Sequence, residues 1–245
     1  SPFIFYRATN HLFWQDFADD ERLTIFGNSQ TITWLQGDLH VENMGSFCTD
    51  EEDVIFDVND FDETMVADYQ YDLWRLAISV VLVAREHSYD EATTYSVVDS
   101  LIESYLDTLG SYCDNDDEEK ILFSVEYTRG PVKDFLEKVA KKKTRIKMLS
   151  KWTNEGLFNT TLEKLEAVDE SFRESFMEVW PSYGKTLSGS LKFEKEKKYF
   201  KVKDVAKRLL AGTGSLGTPR YYILIEGESK SLEDDRILDM KRQSE

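Results

Sequence analysis

Gly37-Asp38-Leu39-His40-Val41-Glu42-Asn43, followed by Asp57-Val58-Asn59-Asp60-Phe61-Asp62-Glu63, sets an Asp and an Asn five residues apart ahead of a second acidic cluster. Phosphoryl transfer needs a carboxylate beside the attacking hydroxyl and oxygen ligands for one or two Mg²⁺ ions. Asp38, Asn43 and Asp60 carry that chemistry in that order. Both segments follow strand-like runs, Thr31 to Leu35 and Val54 to Phe56, so the sequence predicts polar loops delivered by strands into a cleft.

The Gly-Asp-Leu-His-x-x-Asn loop resembles the catalytic loop of the aminoglycoside and choline kinase branch of the protein-kinase-like superfamily. That resemblance implies Asp38 as the base, Asn43 as a metal ligand and Asp60 as the metal-binding Asp. Val66-Ala67-Asp68-Tyr69-Gln70-Tyr71-Asp72-Leu73 then follows Asp60 much as a further Asp and its helix do in those kinases. It implies a structural Asp72 that braces the catalytic loop. Most of the chain is also similar to the bacterial domain-of-unknown-function family 2252, which is grouped with kinase-like folds. The similarity runs through Pro2-Phe3-Ile4-Phe5-Tyr6-Arg7, the Gly-Asp-Leu-His loop, Asn59-Asp60-Phe61-Asp62-Glu63-Thr64, Asp72-Leu73-Trp74-Arg75-Leu76 and Asp204-Val205-Ala206-Lys207-Arg208.

A second motif, Gly212-Thr213-Gly214-Ser215-Leu216-Gly217, precedes the strand-like Tyr221 to Ile225 and then Ile237-Leu238-Asp239-Met240-Lys241. An extended run after the glycines argues against a Rossmann turn or a P-loop, because both need a helix N-terminus at the phosphates. A glycine-rich hairpin over nucleotide phosphates fits better. Gly212, Gly214 and Gly217 would let backbone N–H groups approach the phosphates, and Lys241 would reach them from a following strand. An ordinary glycine-rich hairpin fits the motif alone equally well.

Ordinary kinases place the glycine loop and Lys ahead of the catalytic loop, whereas this chain reverses the order. Circular permutation explains the reversal, since a site depends on where groups sit in space and not on chain order. The expected fold is α+β and protein-kinase-like, circularly permuted. A helical catalytic lobe spans 1–190, and 191–245 forms part of a β-rich small lobe. The glycine segment should then face Asn43 and Asp60 across a cleft. No source for a helix Glu partner of Lys241 is evident, so one expectation is that the sequence belongs to a longer protein.

Composition narrows the function classes. A formal charge of −17 disfavours indiscriminate binding to nucleic acid or anionic membrane. The most apolar stretch, Leu76 to Ala84, is far short of the ~20 residues that span a bilayer, and Ser1 to Asp20 lacks the pattern of a secretory signal. Cys48 and Cys113 make no disulfide framework or metal pattern, so they read as small buried or half-buried side chains in a reducing cytoplasm. The lysines from Lys133 to Lys151 read as a solvated helix face or a docking site for an anionic substrate, and Asp114 to Glu119 as a solvated loop.

The periodicity predicts strands at Thr24 to Phe26, Thr31 to Leu35 and Val54 to Phe56. Helices are expected from Tyr71 to about Arg85, from Asp90 to Leu109, from Pro131 onward and through Thr161 to Trp180, and Lys192 to Lys203 reads as a strand or a linker. His40 reads as a loop-orienting residue, and Arg7 as either a phosphate contact or a salt bridge. The implied reaction uses ATP and Mg²⁺ with an unidentified small-molecule or protein acceptor. Two rivals stay open. A nucleotide-binding pseudokinase or scaffold would keep the fold without transfer. A haloacid-dehalogenase-like phosphatase would use Asp60-x-Asp62-x-Thr64, with Asp60 as nucleophile.

Overall fold

In the computed structural model, which describes residues 1–49, 53–142, 144–186, 200–211, 217–227 and 229–242, the chain is a mixed α+β protein. It divides into two compact units, Ser1–Val139 and Ala140–Glu245. The division falls earlier than the 190/191 boundary expected from the sequence, because residues beyond 140 supply both an edge strand and the packing helices of the C-terminal sheet.

The first unit opens with a well-capped helix. The Ser1 side chain accepts from the Ile4 N–H and Pro2 occupies the first turn, where its missing N–H costs nothing, giving α1 (Pro2–Ala8). α2 (Asn10–Phe17) follows, then α3 (Glu21–Phe26). The last of these corrects the strand expected at Thr24 to Phe26. The Asp20 side chain caps the Arg22 N–H, and Gln70 Nε2 donates to the Leu23 carbonyl at 3.1 Å, so local capping and one long-range bond override the β-branched run.

Four short strands form two separate antiparallel ribbons. β1 (Ile32–Leu35) pairs with β4 (Met65–Asp68), and β2 (Met44–Cys48) pairs with β3 (Val54–Val58). Two long helices follow, α4 (Gln70–Glu86) and α5 (Glu91–Ser111), the second capped by the Asp90 side chain on the Thr93 N–H. α6 (Gly130–Lys142) begins around Pro131, as expected, and fully buries Leu136. Residues 114–119 are an exposed loop, and both Cys48 and Cys113 are exposed rather than buried or half-buried.

The second unit holds a short antiparallel ribbon of β5 (Thr153–Asn154) and β6 (Leu157–Phe158) and a four-stranded antiparallel sheet in the order β10-β9-β8-β7. The strands of the sheet are β7 (Leu165–Ala167), β8 (Val202–Arg208), β9 (Arg220–Ile225) and β10 (Arg236–Lys241). β7 interrupts the helix expected through Thr161 to Trp180. The helix α8 (Glu170–Thr186) starts only afterwards, and most of the charged stretch Lys192 to Lys203 lies outside the described residues.

Each face of this sheet carries its own apolar cluster. Leu149 and Trp152 of α7 (Arg145–Trp152) pack with Phe158, Leu165, Ala206 and Leu224 on one face. Phe176 and Trp180 of α8 pack with Val205, Ile223 and Ile225 on the other. Asp204 ties the layers together: Oδ2 accepts from the Phe158 N–H at 2.9 Å and Oδ1 from Arg173 Nη1 at 3.0 Å.

Candidate functional site

Strand register alone brings the two acidic segments of the first unit side by side. Residues 36–43 run from the end of β1 to the start of β2, and residues 59–64 run from the end of β3 to the start of β4. Leu35 is paired with Met65, and Met44 with Val58, so both loops leave and enter the same two ribbons. At one end the Asn59 N–H donates to the Asn43 carbonyl at 2.9 Å. At the other, Gly37 (φ +85°) lies so close to Glu63 that a Cβ there would sit 1.9 Å from the Glu63 carbonyl oxygen. Only glycine satisfies both the left-handed backbone and the contact.

Gln36, buried between the loops, fastens them together. Its Nε2 donates to the Asp60 carbonyl at 2.7 Å and to the Asn59 carbonyl at 3.2 Å, while its Oε1 accepts from the Asp38 N–H at 2.8 Å. Asp72, in the first turn of α4, accepts the N–H groups of Gln36 at 2.7 Å and Gly37 at 3.0 Å, the bracing that the sequence resemblance implies. Asn43 Nδ2 donates to the Asp38 carbonyl at 3.0 Å. That bond leaves the amide oxygen as the atom able to ligate a cation. Asp60 is left-handed (φ 60°, ψ 61°) at the start of a single 3-10 turn, a conformation that Asp tolerates better than most residues.

The Asp38 carboxylate faces Arg75, which is fully buried in α4. Arg75 Nε donates to Asp38 Oδ1 at 2.7 Å and Nη2 contacts the same oxygen, while the guanidinium stacks 4.4 Å from the Tyr6 ring centroid and 5.1 Å from that of Phe13. Burial raises Asp38 to a pKa of about 6; Arg75 opposes the shift, and the nearby carboxylates of Glu63 and Asp60 add to it. His40 is buried, with Nδ1 accepting the Glu42 N–H at 3.2 Å and Nε2 lying 3.7 Å from Asp38 Oδ2. Burial, then the cations Arg7 and Arg75, lower His40 to a pKa of about 4, which keeps the ring neutral near pH 7 and makes it a loop organiser. Arg7 pairs with Glu42, the salt-bridge reading of that residue.

The donor set bears on a metal. Among the described residues no three His, Cys, Asp or Glu side chains gather as a cage. Mg²⁺ does not need one, since it keeps several waters and takes one or two carboxylates together with substrate phosphates. A carboxylate at Asp60 and an amide oxygen at Asn43, on loops joined by the Asn59–Asn43 backbone bond and by Gln36, fit that requirement.

In the second unit β8 and β9 are antiparallel neighbours, so the segment joining them carries the glycine motif. Gly212 and Gly214 lie outside the described residues, and Gly217 has φ +84°. Lys241 is paired with Arg220, and the Arg242 N–H donates to the Pro219 carbonyl at 3.3 Å. The lysine therefore stands at the end of the sheet from which the glycine segment enters β9.

Three residues that organise the acidic loops were given no role by the sequence motifs: Asn10, Gln36 and Arg75, although Arg75 lies within the matching segment Asp72 to Leu76. Arg75 had a readable signal, because an Arg inside the apolar run from Leu73 to Ala84 must find an anionic partner if that helix is buried. Asn10 and Gln36 had none, since their bonds join segments that periodicity does not relate.

With its α+β fold and this loop constellation in place, the chain belongs to the family described as "Uncharacterized protein conserved in bacteria (DUF2252)", whose model matches residues 1–245. No curated protein and no solved structure matches it. Among the described residues no helix is long and apolar enough to cross a membrane.

Proposed function

We propose that the protein is an ATP- and Mg²⁺-dependent phosphotransferase of kinase-like type with a permuted motif order. The observation that carries this reading is the Gln36 clamp, which holds the Asp38 N–H and the Asp60 carbonyl on one side chain. A base and a metal ligand must keep a fixed separation for transfer to occur, and a buried amide bonded to both backbones provides that rigidity.

Asp38 is the base, and burial brings its pKa toward neutrality, where a carboxylate can accept a proton from an alcohol in the transition state. Asn43 and Asp60 would hold Mg²⁺, which when bound supplies charge neutralisation for the phosphates. In the second unit, Lys241 and the segment Gly212 to Gly217 are the candidates for contact with the ATP phosphates. A left-handed Gly217 and the placement of Lys241 beside Pro219 and Arg220 support that assignment. The acceptor is a hydroxyl-bearing small molecule or protein.

The test is thermal. ATP with Mg²⁺ should raise the melting temperature, since a ligand that binds only the folded state stabilises it. Asp38→Asn should keep that rise and lose transfer, because a base matters in the transition state and not in the bound ground state. No rise with wild type would refute the proposal.

One observation favours a second reading. Arg75 engages the Asp38 carboxylate directly, as a purely structural anion would be engaged, which suits a nucleotide-binding pseudokinase or scaffold. Stabilisation by ATP without phosphate transfer to any acceptor, water included, would select it. A phosphatase with Asp60 as nucleophile would instead release phosphate from a phosphomonoester without ATP. Against it, Asp60 begins a 3-10 turn beyond an antiparallel ribbon and its carbonyl is held by Gln36.

A further inference from the structure

A side chain outside the two acidic loops touches both. Asn10, the first residue of α2, is buried, and its Nδ2 donates to the Gly37 carbonyl at 3.1 Å and to the Glu63 carboxylate. Trp14, one helical turn later, also donates to the Gly37 carbonyl, from Nε1 at 3.2 Å. Gly37, the residue immediately before Asp38, is thereby held at both its polar groups, its N–H by Asp72 and its carbonyl by α2.

We infer that Asn10 is a positioning residue for phosphoryl transfer: through Gly37 and Glu63 it fixes the spacing of the Asp38 loop against the Asp60 loop. The inference rests on the phosphotransferase reading and adds to it an element, α2, that neither acidic motif contains. Asn10 Oδ1 is buried with no hydrogen-bond partner. The orientation of the amide is not in question, because the two groups that Nδ2 meets are both acceptors. An orphan carbonyl of this kind costs stability, so a residue selected for packing alone would be better replaced by an apolar one. Its cost is consistent with a residue retained for geometry at a site, where local rules are most often broken.

Glu63 reaches Asn10 from an exposed position, so it offers a second handle on the same link that does not disturb the core. The loss of either partner frees the 59–64 loop from α2 while leaving the Gln36 clamp in place.

The experiment measures ATP hydrolysis with water as the acceptor, at saturating Mg²⁺, for wild type, Asn10→Ala, Glu63→Ala and the double variant. The expected result is a kcat at least tenfold below wild type in each single variant, an unchanged KM for ATP, and no further loss in the double variant, because both changes break one link. A structural role alone would lower the melting temperature of Asn10→Ala without changing kcat per folded molecule. Wild-type kcat in Glu63→Ala, or losses that multiply in the double variant, would overturn the inference while leaving the phosphotransferase reading intact. Wild type that fails to hydrolyse ATP, whether or not Mg²⁺ and ATP stabilise it, would remove that reading and this inference with it.

Discussion

Arg75 and Asp38 form an ion pair whose cation is wholly shielded from solvent, with Nε 2.7 Å from Oδ1. Removing one partner of such a pair strands the other charge, which costs more than the pair itself contributes. Arg75→Met should therefore lower stability by about 3 to 5 kcal/mol in urea unfolding at pH 7. Asp38→Asn combined with Arg75→Met should recover part of that loss. A change under ~1 kcal/mol in the single variant would mean that the pair is not buried in solution.

The neighbouring His40 gives a pH signature. Its pKa of about 4 lies below the ordinary 6.5, so between those values the unfolded chain binds more protons than the folded one. Stability from this group is complete above pH 6.5 and is lost as pH falls toward 4. Asp38 acts in the opposite sense, since its raised pKa of about 6 makes the folded state the better proton binder below that value. Substituting His40→Gln removes the first contribution and keeps the second. Relative to that variant, wild type should gain on the order of 2 to 3 kcal/mol as pH rises from acid to neutral. Chemical denaturation at several pH values measures it, and a difference that stays constant with pH would contradict a neutral buried His40.

Gly37 tolerates no side chain. With φ at +85° and the Glu63 carbonyl oxygen 1.9 Å from where a Cβ would stand, Gly37→Ala faces backbone strain and a clash with main chain at once. The expected cost is ~3 kcal/mol or more, visible as loss of folded protein or a sharply lowered urea midpoint. Gly130, also left-handed at φ +56° but with open space around it, should cost only about 1 kcal/mol on the same substitution.

Asp60→Asn and Lys241→Met separate the metal from the phosphates. Asn adopts the left-handed backbone as readily as Asp, so Asp60→Asn should fold normally and lose the Mg²⁺-dependent part of ATP stabilisation. Lys241→Met should weaken stabilisation by ATP about tenfold or more in apparent affinity, with or without Mg²⁺. Scanning calorimetry over a range of ATP concentrations distinguishes the two patterns.

The elements that the sequence declared were those whose cause is local. β1, β3, α4 and α5 follow from alternation, helical periodicity and the Asp90 cap. Thr24-Ile25-Phe26 reads as a strand by propensity alone, whereas the structure makes it the end of a helix capped by Asp20. β7 could not be seen, because three residues form a strand only through pairing with β8 some forty residues later. The candidate site divides in the same way. Its loops announced themselves by composition, but Gln36 and Asn10 act through bonds spanning 24 and 53 residues, and local pattern does not encode such bonds.

The pairing of β9 with β10 also acts as a selector of chemistry. Leu238 and Met240 join the apolar cluster under α8, whereas Ile237 joins the one formed with Leu149 and Trp152, so Lys241, alternating with Met240, belongs to the Ile237 side. A slip of one residue between these strands would turn the ammonium group into the aromatic layer of Phe172, Phe176 and Trp180 and bring a thioether to the opposite side. The length of the connection between the two strands thus governs on which side of the sheet Lys241 stands. Lineages that lengthen or shorten it by a single residue must either rebuild the register elsewhere or surrender the charge.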